Sequence, residues 1–190
     1  MTKLRIIAPS DSWSTNQDFY ETLDRRFHFD PFDPCPMDCP ETFDGLATDW
    51  IGDCIFVNPP YSTKLKEAFV RRSFDESRQG KTIVLLIPVS TSTKLFHDVI
   101  EPNATVELLR GRIPFEGIDN GWKWDETKTI KLPAPNWINP MQGLYRPKGV
   151  TEDMPRLSRG GQFDSMLAVF RAKVRPRIIG WDWKNRLEAN

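Results

Sequence analysis

The chain has little cysteine, little histidine and no long hydrophobic run, and each shortage excludes something. No apolar stretch approaches the roughly 18 residues that a membrane-spanning helix needs. The apolar residues of "MTKLRIIAPSDSW" at the N-terminus are too few for a signal peptide, so a soluble, intracellular protein is expected. Its three cysteines, Cys35, Cys39 and Cys54, are an odd number in a chain without a secretion signal, which argues against a disulfide framework. The only histidines are His28 and His97, and the Cys35/Cys39 spacing has no second Cys/His pair to complete a zinc centre, so no metal is expected. Internal repeats and low-complexity tracts are also lacking. At 190 residues and 22.0 kDa, a single domain is expected.

Net charge is absent too, with 26 basic and 26 acidic residues, but the two signs are unevenly placed. Residues 1–60 hold 4 of the basic and 11 of the acidic side chains, leaving 22 and 15 for residues 61–190. The second part can therefore meet a polyanion locally, although such asymmetry also arises on solvated surfaces.

What is present reads as alternating strands and helices. Residues 16–26, "NQDFYETLDRR", carry apolar side chains on one helical face, with Ser14, Thr15 or Asn16 as the cap. A short strand is expected at 27–33, followed by the Pro-rich "PCPMDCPETFDG". The strand "CIFVN" leads to a helix at 63–79 capped by Thr63 and stopped by Gly80. Then comes "TIVLLIPVS", an apolar strand of the kind buried on both faces. A short helix near 93–100 and strands at 105–110, 112–115 and 165–171 continue the alternation. Residues 116–162 break it with a loop-rich insertion containing Trp122, Trp124 and Trp137. The pattern argues for an α/β fold with helices covering a central sheet. No role is assigned to the tail 172–190.

The most informative stretch is "CIFVNPPYS" at 54–62. In open α/β sheets ligands bind outside the carboxyl ends of strands, where Asn58 falls. Asn58 offers a side-chain oxygen, Pro59 offers a carbonyl without an N–H, and the two prolines restrict φ. Two rigid acceptors aimed at one point suit an amine with two hydrogens, such as the exocyclic amine of adenine. Accepting both N–H bonds favours a pyramidal nitrogen with an available lone pair. Tyr61 supplies a flat face for the ring, and a duplex base must leave its stack to reach such a pocket. A rigid strand-to-helix turn with no chemistry is the plain alternative.

With these residues the chain resembles the phage-type Dam DNA N-6-adenine methyltransferases, which use S-adenosylmethionine. The resemblance covers about residues 13–170. It rests on "DSWST", "FDPC" at 32–35, "FDGLATDW" at 43–50, "FVNPPYS" at 56–62, "LLIPVSTSTKLFHDVI" at 85–100, "LLRGRIPF" at 108–115 and "FDSMLAVF" at 163–170, in that order. It implies that Asn58, Pro59, Pro60 and Tyr61 form the catalytic motif. It further implies that Asp33 lies at the cofactor site with Pro34 and Cys35 shaping the turn, and that Trp13 and Thr15 pack on the cofactor's methionine portion. Asp49 suits the cofactor's ribose hydroxyls, with a solvated carboxylate beside a core Trp50 as the equal alternative. Phe115 is a second wall of the base pocket or ordinary core, with the two readings in balance. Arg146, Lys148, Arg156 and Arg159 in the insertion are expected to meet DNA phosphates, with a solvated loop of ordinary charges as the alternative.

Two residues depart from the pattern: Asn16 stands where similar enzymes have proline, and Pro36 where a small residue often follows Asp-Pro-Cys. The usual glycine-rich cofactor loop is missing, so a backbone turn near Pro34–Pro36 takes its place. The implied fold is a compressed Rossmann-like methyltransferase domain with a mostly parallel central sheet. The implied setting is a phage- or prophage-encoded protein acting on DNA in a bacterial cytoplasm. Methyl transfer to a protein glutamine amide or to cytosine N4 stays open at this level, as does a catalytically dead DNA-binding relative.

Overall fold

The computed structural model describes residues 14–36, 43–118, 123–124, 131–132, 156–160 and 163–184. Its first strand, β1 (Ser14–Thr15), leads into helix α1 (Gln17–Phe27). Asn16 caps α1, its side-chain oxygen accepting the Phe19 N–H at 3.3 Å. This gives Asn16 a local role, because an N-cap amide satisfies an N–H that the first turn leaves unpaired. The left-handed His28 (φ 55°) ends the helix.

The strand expected at 27–33 does not form. After His28 the chain runs irregularly along the outer edge of β2 (Cys54–Val57), touching it through the Asp30 N–H on the Cys54 carbonyl at 2.8 Å. Pro31 and Pro34 lack the N–H groups a ladder requires, and the Asp30 carboxylate takes the N–H groups of Asp53 and Cys54.

β2 is followed by α2 (Thr63–Arg78) and β3 (Thr82–Pro88), giving the expected strand–helix–strand unit. Ser62 rather than Thr63 occupies the cap position of α2, with no side-chain cap bond. The helix expected near 93–100 is a π-helical turn over Phe96–Ile100, followed by β4 (Ala104–Leu109) and β5 (Pro114–Ile118). Within the insertion the described residues form β6 (Lys123–Trp124), β7 (Lys131–Leu132) and β8 (Arg156–Gly160). β9 (Ser165–Arg171) and β10 (Arg177–Trp181) close the described chain.

The central sheet has the order β10-β4-β9-β3-β2. β2 pairs parallel with β3, and β10 with β4, while β9 runs antiparallel to both β3 and β4. The sheet is therefore mixed rather than mostly parallel. A strand returning from a long excursion is free to enter in either direction, since no short crossover fixes its sense.

Side chains alternate between two apolar layers, as the two-residue strand period requires. Ile55, Val57, Ile83, Leu85, Ala168 and Val106 face Phe69 and Val70 of α2 and the π-helical turn. Phe56, Val84, Leu86, Leu167 and Leu109 face Phe19 and Leu23 of α1. The result is a sheet between two helical layers. The tail has a place in the α1 layer, where Trp183 meets Phe19 edge-on at 5.1 Å. Buried Glu107 of β4 is held by Arg26 of α1 through two contacts of 2.7 Å, which ties that helix to the sheet.

A second sheet, β1-β5-β8, is antiparallel throughout. It joins the start of the described chain to residues about a hundred positions later, with Thr15 opposite Phe115 and Phe115 opposite Arg159.

Candidate active site

β2 is buried from Ile55 to Val57, and Asn58 emerges at its carboxyl end beside the parallel strand β3. Pro59 and Pro60 are buried, which fixes the turn by packing as well as by restricted φ. The Tyr61 hydroxyl donates to Asn58 Oδ1 at 3.0 Å. This bond holds the amide oxygen in one orientation, and an oxygen with two lone pairs can accept a second donor. The Tyr61 ring meets Phe115 at 87° with centroids 6.1 Å apart, so the two rings form a corner beside the amide. Phe115 also belongs to the buried α1-side layer, and so combines core packing with this contact.

The β1–β5 pairing brings the N-terminal segment to the same corner. Thr15 stands in register with Phe115, and its Oγ1 is buried without a hydrogen-bond partner among the described residues. A buried hydroxyl left unpaired costs on the order of 1–3 kcal/mol, so this position favours a ligand that supplies the missing bond.

Asp33 organises the turn that follows α1. Its carboxylate accepts the Cys35 N–H at 2.7 Å, closing an Asx turn around Pro34. The residue is open to solvent, yet its carboxyl stands in a recess crowded by protein atoms. That crowding raises its pKa above the usual carboxylate range, against the opposing effect of the Cys35 N–H. Burial, and then the charges of Asp24 and Asp33, raise the Tyr20 phenol. Tyr20 packs edge-on against Phe56 at 5.4 Å, so α1 and β2 together wall the same region.

The 33–35 turn is backed by a second one. A Cβ on Gly45 would stand 1.8 Å from the Pro34 carbonyl oxygen, so only glycine permits the approach. Trp50 is buried and its Nε1–H donates to the Gly45 carbonyl at 2.7 Å, while Lys81 Nζ donates to the Trp50 carbonyl. Asp49 is exposed beside this turn. At the start of β2, Asp30 accepts the N–H groups of Asp53 at 2.7 Å and Cys54 at 2.9 Å. These bonds, Cys54's first, hold its carboxyl below its ordinary pKa. Gly52, at φ 111°, leaves the room that carboxylate needs.

The structure thus brings Asn58, Tyr61, Phe115 and Thr15 to one corner, with Asp33, Pro34 and Cys35 in the turn beyond α1. Trp13, Arg146 and Lys148 lie outside the described residues. Arg156 and Arg159 fall on β8, with Arg159 in register with Phe115. The sequence does not announce the contacts of Tyr20 and Asp30. Gly45 alone had a legible signal there, a glycine inside "FDGLATDW". No cluster of three or more metal-ligating side chains occurs among the described residues, and no helix among them is long and apolar enough to cross a membrane.

Residues 6–132 match the family described as DNA N-6-adenine-methyltransferase (Dam). Among curated proteins, the DNA N-6-adenine-methyltransferase of Haemophilus phage HP1 (strain HP1c1) is 34% identical over 139 residues, which cover 66% of this chain and 78% of that protein. No solved structure matches the chain at comparable significance.

Proposed function

Because the chain belongs to the Dam family of DNA N-6-adenine methyltransferases, we propose that it methylates the exocyclic N6 of an adenine rotated out of the DNA duplex, with S-adenosylmethionine as donor. The observation that carries this reading is the corner itself: a strand-end amide oxygen held by Tyr61, walled by Phe115, with the unpaired Thr15 hydroxyl one strand away.

In this reading Asn58 Oδ1 and the Pro59 carbonyl each accept one N6–H. They draw the nitrogen toward a pyramidal shape whose lone pair faces the methyl donor. Pro60 keeps the turn rigid, and Tyr61 and Phe115 hold the adenine ring. S-adenosylmethionine, when bound, supplies an electrophilic methyl on a sulfonium centre. The chain's own residues fit such a group: Thr15 Oγ1 completes its missing hydrogen bond, the recessed Asp33 carboxyl meets cationic or hydroxyl donors, and the Pro34–Cys35 turn stands where a glycine-rich loop is missing. Trp13 and Asp49 are assigned to the methionine and ribose ends. The methylated nitrogen becomes acidic and loses its extra proton to water, so no strong base is required. Arg146, Lys148, Arg156 and Arg159 are assigned to phosphates. The fold is read as a compressed Rossmann-like methyltransferase domain, phage-encoded and active in a bacterial cytoplasm.

The test is methyl transfer from labelled S-adenosylmethionine to unmethylated duplex DNA, with the nucleosides resolved by mass spectrometry. N6-methyladenine from the native protein, and roughly 10²–10³-fold less from Asn58→Ala, is the expected result. Cofactor binding without any methylated nucleoside would overturn the reading in favour of another substrate.

A further inference from the structure

The carboxyl edge of the central sheet is stepped. Val57, the last residue of β2, lies opposite Leu85, whereas β3 continues to Pro88, three residues further. At about 3.3 Å per residue the step is roughly 10 Å high. Asn58 therefore lies at the foot of a wall made by β3, and Val89 to Lys94 form its rim. Nothing among the described residues covers that rim: Thr91, Ser92, Thr93 and Lys94 are all exposed, as is Phe163 at 58%.

The cations at this edge differ from those that hold the fold together. Glu107 takes Arg26, and Glu76 takes Arg72 and Lys81. The acids of the same edge are also engaged, Asp182 by Arg110 at 3.0 Å and Asp164 by Arg112 at 3.7 Å. Lys66 and Lys94 have no carboxylate partner among the described residues. Lys66 continues the inward stripe of α2 that holds Phe69, Val70, Ser73 and Ser77, and it is half-buried. Helical side chains lean toward the helix N-terminus, so this lysine reaches along the sheet toward the edge that carries Asn58. With its stem packed along the helix and its ammonium without a carboxylate, Lys66 is placed to meet an anion at that edge.

We propose that Lys66 and Lys94, with the hydroxyls of Thr91 and Ser92, bind the DNA phosphates flanking the extruded adenine. The backbone then lies along the rim while the base descends the step to Asn58. This rests on the base-extrusion reading above, and it places part of the DNA grip on the strand-end loops rather than in the insertion. Short hydroxyls and ammonium groups suit phosphate oxygens and carry no sequence information.

The test is the salt dependence of binding of the full chain to a fluorescein-labelled, unmethylated duplex, followed by anisotropy from about 50 to 200 mM salt. Each lost phosphate contact lowers the log–log slope by about 0.9, so Lys66→Gln/Lys94→Gln is expected to lower it by about 1.8, with cofactor affinity unchanged. Lys66→Arg/Lys94→Arg is expected to retain the native slope. Lys173→Gln/Arg175→Gln removes two exposed cations from the opposite edge of the sheet and is expected to leave the slope unaltered. A native slope in the Lys66/Lys94 glutamine variant, or an equal loss in the Lys173/Arg175 variant, overturns the inference while adenine methylation stands. If the native protein neither binds nor methylates DNA, the functional reading fails and this inference falls with it.

Discussion

The Tyr61 hydroxyl donates to Asn58 Oδ1 at 3.0 Å, so the aromatic residue of the strand-end turn orients the amide as well as flanking it. The two roles are separable by substitution. Asn58→Ala removes an acceptor on which the proposed chemistry depends and is expected to lower kcat by roughly 10²–10³-fold. Tyr61→Phe keeps the ring and its contact with Phe115 but releases the amide. One hydrogen bond of about 0.5–1.5 kcal/mol corresponds to a two- to tenfold loss in kcat, with DNA affinity unchanged. Single-turnover methylation by both variants measures the difference; an unchanged rate in Tyr61→Phe would refute the orienting role.

Thr15→Val is expected to move stability and ligand affinity in opposite directions. The native Oγ1 is buried without a partner among the described residues, so an isosteric methyl relieves a cost of about 1–3 kcal/mol. The melting temperature of the ligand-free protein is then expected to rise by a few degrees. If the hydroxyl serves S-adenosylmethionine, affinity for it falls by about tenfold or more, because a bond to a charged group is worth about 1.5–3 kcal/mol. Thermal melts with and without cofactor measure both changes. Unchanged cofactor affinity would remove Thr15 from the binding site.

The βαβ unit around Asn58 is legible in the sequence because each of its signals is local: apolar runs, a helical stripe and glycine or proline at the ends. Residues 27–33 show where local signals fail. "FHFDPFD" alternates like a strand, but His28 turns left-handed and Pro31 lacks the N–H a ladder requires. There the edge of β2 is satisfied by the Asp30 side chain instead. Antiparallel entry of β9 and the pairing of Thr15 with Phe115 depend on contacts across many tens of residues, which periodicity does not encode. The candidate site is legible to the extent that "NPPY" is a compact local motif, whereas the contacts of Tyr20 with Phe56 and of Gly45 with Pro34 arise only through tertiary approach.

Gly45→Ala tests whether the turn behind Pro34 shapes the cofactor site. The added methyl would stand 1.8 Å from the Pro34 carbonyl oxygen, so the 33–35 turn must shift. Gly180→Ala, where nothing lies within 4 Å of the new Cβ, is the control. A loss of S-adenosylmethionine affinity of about tenfold or more in the first variant alone is expected, corresponding to about 1.4 kcal/mol. Equal affinities in the two variants would separate this turn from the cofactor.

Asp30 and Asp33 are expected to affect stability with opposite signs as pH changes. Asp30 has a folded pKa below its unfolded one, so its contribution is present above the unfolded value and is lost as pH falls through the folded value. Asp30→Asn should therefore destabilise the protein at neutral pH and have little effect in acid, where the native carboxyl is already protonated. Asp33 has a folded pKa above its unfolded one, so burying it uncharged is favourable at low pH and that advantage disappears as pH rises through the folded value. Asp33→Asn should stabilise the ligand-free protein at neutral pH while weakening cofactor binding, and its stabilising effect should vanish below the ordinary carboxylate range. Denaturant melts of the two variants across pH 3–8, an interval of about five units spanning both titrations, give the slopes directly. If Asp33→Asn destabilises the ligand-free protein at neutral pH, the carboxylate is supporting the turn more than it is penalised by its recess, and its Asx bond to Cys35 is then its main role.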